Sequence, residues 1–169
     1  ESPFYIGDIR VNPFHLSHDA AEPTGYSFAH DGRQVTIVTD TGFVSEEIFH
    51  QVESADLLIL EANHEVNILK MGAYPYPLKR RILGDEGHLS NEAAGHCLCQ
   101  MLKKRVHDKI PHVVLAHLSK ENNTPGQAYL TIRNILFEED FYIDKDLLFK
   151  IRYCKQGRSK SICGSVKIL

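Results

Sequence analysis

An α/β domain with a largely buried sheet is the fold class this sequence predicts, on three observations. Two short continuous apolar runs, Leu57-Leu58-Ile59-Leu60 and Val113-Val114-Leu115, have the length of strands and the composition of strands covered on both faces. Between them a stretch opening at Ser90 places Ala93, Ala94, Cys97, Leu98, Met101 and Leu102 at helical spacing. Turn signals punctuate the chain, and there is no internal repeat or low-complexity linker to divide it.

Taken in order, residues 26–30 and 34–39 are apolar or β-branched runs joined by Asp31-Gly32, a strong hairpin signal. Ser45 caps a helix running through Val52, with Glu46 and Glu47 in its positive first turn. A strand at 56–61, the helix at 90–106 and a strand at 112–116 follow. Pro125 suits the first turn of a second long helix, through Tyr129, Ile132 and Leu136, and residues 147–153 read as a last strand. The four strands from 26 to 116 are expected in one sheet, with helices 90–106 and 125–137 on one face and an unpaired face or edge left over.

Bulk properties set the frame. The 169 residues, 43% hydrophobic and 24% charged, can bury a core. No run reaches the roughly 18 apolar residues of a membrane span, and the first residues lack the pattern of a signal peptide, so no membrane association and a cytoplasmic location are expected. The four cysteines include Cys97-x-Cys99, which is not a zinc-ribbon spacing, and read as free thiols. Six of the 19 basic residues fall within 150–169, where there is no acid; residues 1–149 are read as the folded domain and 150–169 as a last strand and basic tail. A second basic cluster, Lys79-Arg80-Arg81, follows Tyr74-Pro75-Tyr76-Pro77. Such patches neutralise phosphates, and equally make ordinary solvated surface.

Chemistry enters with three separated segments, Ser17-His18-Asp19, Thr39-Asp40-Thr41-Gly42 and Ala116-His117-Leu118. Each places a residue able to bind a hard or borderline metal where a predicted strand stops, so His18, Asp40 and His117 can meet at one sheet edge. The bland alternative is strand-end capping, since Thr-Asp-Thr-Gly is a good turn by itself. His15, His30, His50, His96, His107 and His112 read as surface or half-buried residues.

With Leu60-Glu61-Ala62-Asn63-His64-Glu65, Gly87-His88-Leu89-Ser90-Asn91 and Asn122-Asn123 added, the ordered set resembles the metallo-β-lactamase-fold hydrolases, most closely the WalJ/YycJ/VicX group of bacterial nucleases, and is also similar to tRNase Z. The resemblance covers roughly residues 10–137. It implies an αββα sandwich and a metal-dependent phosphodiesterase, a DNA exonuclease in its most concrete form. His18, Asp40 and His117 then fall on metal-ligand motifs, with the Asp40 carboxylate between two divalent ions, zinc or manganese. Glu61 and His88 fall on a pair that protonates the leaving oxygen. Lys79, Arg80 and Asn91 become substrate contacts and His64 a residue supporting the site from behind. Nucleic acid is the implied partner, DNA before RNA.

The family's first ligands come from a His-x-His-x-Asp-His motif, which occurs nowhere in this sequence. The chain therefore resembles the second half of such a fold. The expectation is an incomplete, inactive part on its own, with partial or no metal occupancy, docking with a first half or with a second copy of itself. The alternative is a non-catalytic, partner-binding or regulatory module with a vestigial site.

Overall fold

The computed structural model describes residues 2–105 and 111–151. In chain order the elements are β1 (Phe4–Ile6), β2 (Ile9–His15), β3 (Thr24–His30), β4 (Arg33–Val38), α1 (Glu46–Glu53), β5 (Leu57–Glu61), α2 (Val66–Met71), α3 (Tyr76–Leu83), α4 (Asn91–Lys104), β6 (His112–Ala116), α5 (Pro125–Glu138) and β7 (Leu148–Ile151). All seven strands form one sheet in the order of the chain. Neighbours are antiparallel from β1 to β4 and parallel from β4 to β7.

Local chemistry accounts for the elements. Asp31 and Gly32 both take positive φ, 48° and 68°, the conformation a two-residue hairpin turn requires between β3 and β4. The side chains of Ser45, Ser90 and Thr124 each accept a backbone N–H in the first turn of α1, α4 and α5, and Pro125 opens α5. Four elements precede or interrupt the expected order: β1 and β2, and the pair of short helices α2 and α3. β7 crosses the boundary placed at 149/150, and the basic tail from 152 onward lies outside the described residues, as does the end of the helix expected to reach 106.

Topology then decides what is covered. Each step from β4 to β5 to β6 moves one place in the same direction through a helical connection, and right-handed crossovers of that kind put their helices on a single face. On that face Thr36, Val38, Leu58, Leu60, Val113 and Leu115 are fully buried. The apolar ones pack with Ile48 and Val52 of α1, Ala94, Leu98 and Met101 of α4, and Ala128, Ile132 and Leu136 of α5. The opposite face carries Tyr26, Phe28, Val35, Ile37, Leu57, Ile59 and Val114, every one of them half-buried or exposed. No helix among the described residues is long and apolar enough to cross a membrane.

Candidate metal centre

Strand direction brings the site together. β2 and β4 are both antiparallel to β3, and β5 and β6 run parallel to β4, so the carboxyl ends of all four share one edge of the sheet. His18, Asp40, Glu61 and His117 stand at or just beyond those ends. Asp40 and His117 have positive φ, 63° and 54°, and mark the sharp turns by which the chain leaves β4 and β6. Alternation along β5 sends Leu58 and Leu60 to the helices and Leu57, Ile59 and Glu61 to the open side. Loops close over Glu61 there.

His88 arrives from the loop before α4, and that loop is fixed by backbone contact. A Cβ on Gly87 would come within 2.3 Å of the Arg81 and Ile82 carbonyl oxygens, while the His88 N–H donates to Ile82 O at 3.0 Å. A Cβ on Gly42 would lie 2.2 Å from Asp85 O, so the Asp40 and His88 loops also meet backbone to backbone.

Glu61 is the centre of the network. Its Oε1 accepts from His88 Nδ1 at 2.8 Å and from His117 Nδ1 at 2.6 Å, and its Oε2 from the N–H groups of Thr41 at 3.0 Å and Leu89 at 3.4 Å. Burial pushes this carboxyl up, but the bonds from His117, His88 and Thr41 outweigh it and hold the group below the usual carboxylate range. An ionised carboxylate only accepts, so both imidazoles carry hydrogen on Nδ1. The same bond raises the pKa of His117, against the opposing effect of its burial. Asp40 Oδ1 lies 3.5 Å from His117 Nδ1 and 3.9 Å from His88 Nδ1.

Ligand atoms of Asp40, Glu61, His88 and His117 all fall within 4.8 Å of one another. His18 joins them: its ring centroid is 4.9 Å from that of His88, which is 5.1 Å from that of His117. The Gly87 carbonyl, 2.9 Å from His18 Nδ1, can only accept, so Nδ1 carries the proton and Nε2 keeps a lone pair. Imidazoles anchored through Nδ1–H by carbonyl or carboxylate, beside a second carboxylate, make a nitrogen and oxygen donor set of the kind that holds metal ions. The residues present fit a divalent cation.

The remaining sequence candidates fall elsewhere. Asn91 is fully buried and exchanges amide bonds with Asn123, at 3.1 and 2.8 Å, and donates to Glu65 Oε2 at 3.2 Å; it braces the floor behind the site and presents nothing to a substrate. Lys79 Nζ donates to the carbonyls of Lys70, at 2.8 Å, and Gly72, at 2.6 Å, and so closes the end of α2. Arg80 is exposed on α3. His64 is buried, neither ring nitrogen has a partner among the described residues, and burial pushes its pKa down to about 4, which keeps it neutral.

Sequence reasoning placed Arg81 in the basic cluster but not among the substrate contacts. Its guanidinium donates through Nε and Nη2 to the two carboxylate oxygens of Asp19, the latter at 2.9 Å, and Asp19 Oδ1 is 3.6 Å from His18 Nε2. A cleft of about 670 Å³ opens beside His88 and His117, with Tyr74, Leu78, Arg81 and Ile82 among its lining residues. Leu78, Arg81 and Ile82 recur at helical spacing within α3, with Tyr74 just before it, so the signal existed once α3 is recognised as a helix.

Residues 1–111 match the family described as beta-lactamase superfamily domain. The chain belongs to that family. It is 41% identical over 136 residues to the exodeoxyribonuclease YycJ of Bacillus anthracis, a match covering 80% of this chain and 50% of that protein. To the exodeoxyribonuclease WalJ of Streptococcus pneumoniae it is 42% identical over 146 residues, 86% of this chain and 52% of that one. Among solved structures, the metallo-beta-lactamase fold protein YhfI of Bacillus subtilis superposes with a TM-score of 0.58 at 15% identity, over 94% of this chain and 52% of YhfI, and speaks for the fold alone. This beta-lactamase superfamily chain thus spans about half the length of the curated relatives it matches.

Proposed function

We propose that this chain supplies one side of a metal-dependent phosphodiesterase site that acts on DNA, as an exonuclease does. The observation that carries the reading is the buried Glu61 carboxylate joined to both His88 and His117, with Asp40 and His18 gathered round it. His18, Asp40 and His117 would hold the cations. Two divalent ions, zinc or manganese, would supply a nucleophilic hydroxide at neutral pH and offset charge on the phosphodiester.

The chain's own groups handle the proton. Glu61 is fixed by four donors and cannot turn away, so it orients the His88 ring and balances the positive charge His88 carries when it holds a second proton at Nε2. From there the proton passes to the departing sugar oxygen. Glu61 lies on the open side of the sheet, so whatever covers the apolar open face would also complete the site. We assign that cover to the part of the relatives' length this chain does not span, and we expect the chain alone to lack nuclease activity.

The test compares this chain with a chimera in which the unmatched half of the Bacillus anthracis relative completes it, both with Mn²⁺ or Zn²⁺ and labelled DNA. Activity in the chimera alone is expected. Within it, His88→Ala and Glu61→Gln should slow turnover by about 10² to 10⁴ with metal content kept, and Asp40→Ala should lower both. A folded, metal-loaded chimera that leaves DNA uncut would favour the non-catalytic module, and a chain active alone would overturn the two-part reading.

A further inference from the structure

The cleft beside His88 and His117 is built from two kinds of wall. One is apolar and aromatic: Tyr74, just before α3 and half-buried with no ring partner among the described residues, and Leu78 within α3. The other is cationic, with Arg81 from α3 and Lys120 from the loop after β6, while Glu121, also in the lining, limits how much negative charge the cleft accepts. Its volume of about 670 Å³ is in the range of small-ligand sites. The other cavities found lie away from the imidazoles, against Gln34 and Asp56 at the far end of the sheet or against Phe137 and Tyr142 on α5 and its following loop.

Arg81 is the informative member. Its fork is taken up by Asp19 in a pair that is 58% exposed on the Arg side and 30% on the Asp side. A pair that open holds its partners weakly, and the two parallel N–H donors that fit a carboxylate fit a phosphate equally. Asp19 Oδ1 also approaches His18 Nε2, so the guanidinium is parked one carboxylate away from the imidazole cluster. A phosphate arriving at the site would compete with Asp19 for a fork already in position.

We propose that this cleft seats a single nucleotide of the strand being cut, with a phosphate on Arg81 and Lys120 and the base against Tyr74 and Leu78. The inference rests on the phosphodiesterase reading and adds to it the subsite that grips the substrate beside the bond broken. Tyr74 supplies a sequence-indifferent platform, since every base has a π-face. Asp19 acts as a placeholder that keeps the Arg81 fork aimed while the cleft is empty of anion.

The experiment uses the whole chain without added metal, titrated separately with deoxyadenosine monophosphate, deoxyadenosine and inorganic phosphate and followed by equilibrium dialysis. The monophosphate should bind about tenfold more tightly than inorganic phosphate, the usual scale of one stacked base. Tyr74→Leu should remove that advantage while leaving inorganic phosphate binding as it was, and Arg81→Gln should weaken both ligands several-fold. Asp19→Asn should tighten both. Lys120→Gln gives a second anion-side variant, and circular dichroism checks that each remains folded. Equal binding of nucleotide and phosphate, or indifference of folded Tyr74→Leu and Arg81→Gln, would overturn the seat. The chimera separates this from the parent reading: DNA cleavage with no nucleotide seat sinks only this inference, and a nucleotide seat without cleavage sinks only the phosphodiesterase.

Discussion

Both faces of the sheet carry apolar residues, and they are differently covered. Leu58, Leu60, Val113 and Leu115 disappear beneath α1, α4 and α5, while Leu57, Ile59 and Val114, their immediate neighbours in the chain, stay partly open among the described residues. Hydrophobicity along a strand therefore records what the sequence is prepared to bury, and topology decides which part of it this chain buries by itself. One-way crossovers place α1, α4 and α5 together on the first face. A face with Phe28, Val35, Ile37 and Ile59 side by side is larger than scattered surface apolars and has the character of an interface.

The sharpest way to break this contrast is to place a charge on each face in turn. Leu60→Asp buries an unpaired carboxylate and should lose about 3 to 5 kcal/mol or prevent folding, whereas Ile59→Asp in this chain should stay within about 1 kcal/mol of the parent in urea unfolding. Equal damage from both would mean the second face is covered after all. In the chimera the order should change, with Ile59→Asp blocking assembly.

A smaller effect tests the floor beneath the site. Asn123 Nδ2 donates to the carbonyls of Ala62, at 2.8 Å, and Asn63, at 3.1 Å, tying α5 to the end of β5. Asn123→Ala leaves buried acceptors unpaired and should cost about 1 to 3 kcal/mol, read from the same unfolding curves.

The rim between the faces should answer to pH. In the metal-free chain the Glu61 pKa lies below its ordinary 4.5, so its contribution is present above that pH and is lost as pH falls through the lowered value. His117 lies above its ordinary 6.5, so its contribution is present below that pH and is lost as pH rises through the raised value. Both act fully between 4.5 and 6.5, where thermal stability should peak, and Glu61→Gln should flatten the profile on both sides. An unchanged profile in Glu61→Gln would show that the pair does not govern it. The smallest change expected is from Asp19→Asn, which should leave the unfolding midpoint almost where it was, because the Arg81 pair it breaks is exposed.

Much of this was legible beforehand, for reasons that differ by element. The runs at 57–60 and 113–115 could be read as strands because both faces demand apolar residues, and Ser45, Ser90 and Pro125 mark helix starts by local hydrogen-bond chemistry. β2 was hidden by Pro13, which ordinarily disqualifies an inner strand. The three-residue β1 pairs only as far as Phe4 with Val11, so Pro13 lies past its end, where no ladder donor is needed on that side. α2 and α3 were hidden by Gly72, Pro75 and Pro77, which punctuate like a loop. Without α3 there was no periodicity by which to prefer Arg81 over Lys79 and Arg80. The second imidazole on Glu61 was beyond reach for another reason: His88 and His117 are 27 and 56 residues away, and only the completed sheet shows that one oxygen serves both.

Asp40 and His117 keep a backbone conformation that a Cβ makes unfavourable by roughly 1 kcal/mol and that glycine adopts freely. Mutational drift acting on stability alone would favour glycine at both positions, and on the assignment proposed above each exchange would relax the turn and delete a cation-holding group in one step. The centre is thus placed where selection for folding and selection for chemistry pull against each other. If the proposed reaction were lost, relief of that backbone cost would favour glycine at 40 or 117, whereas a ligand in relaxed backbone would feel no such pull.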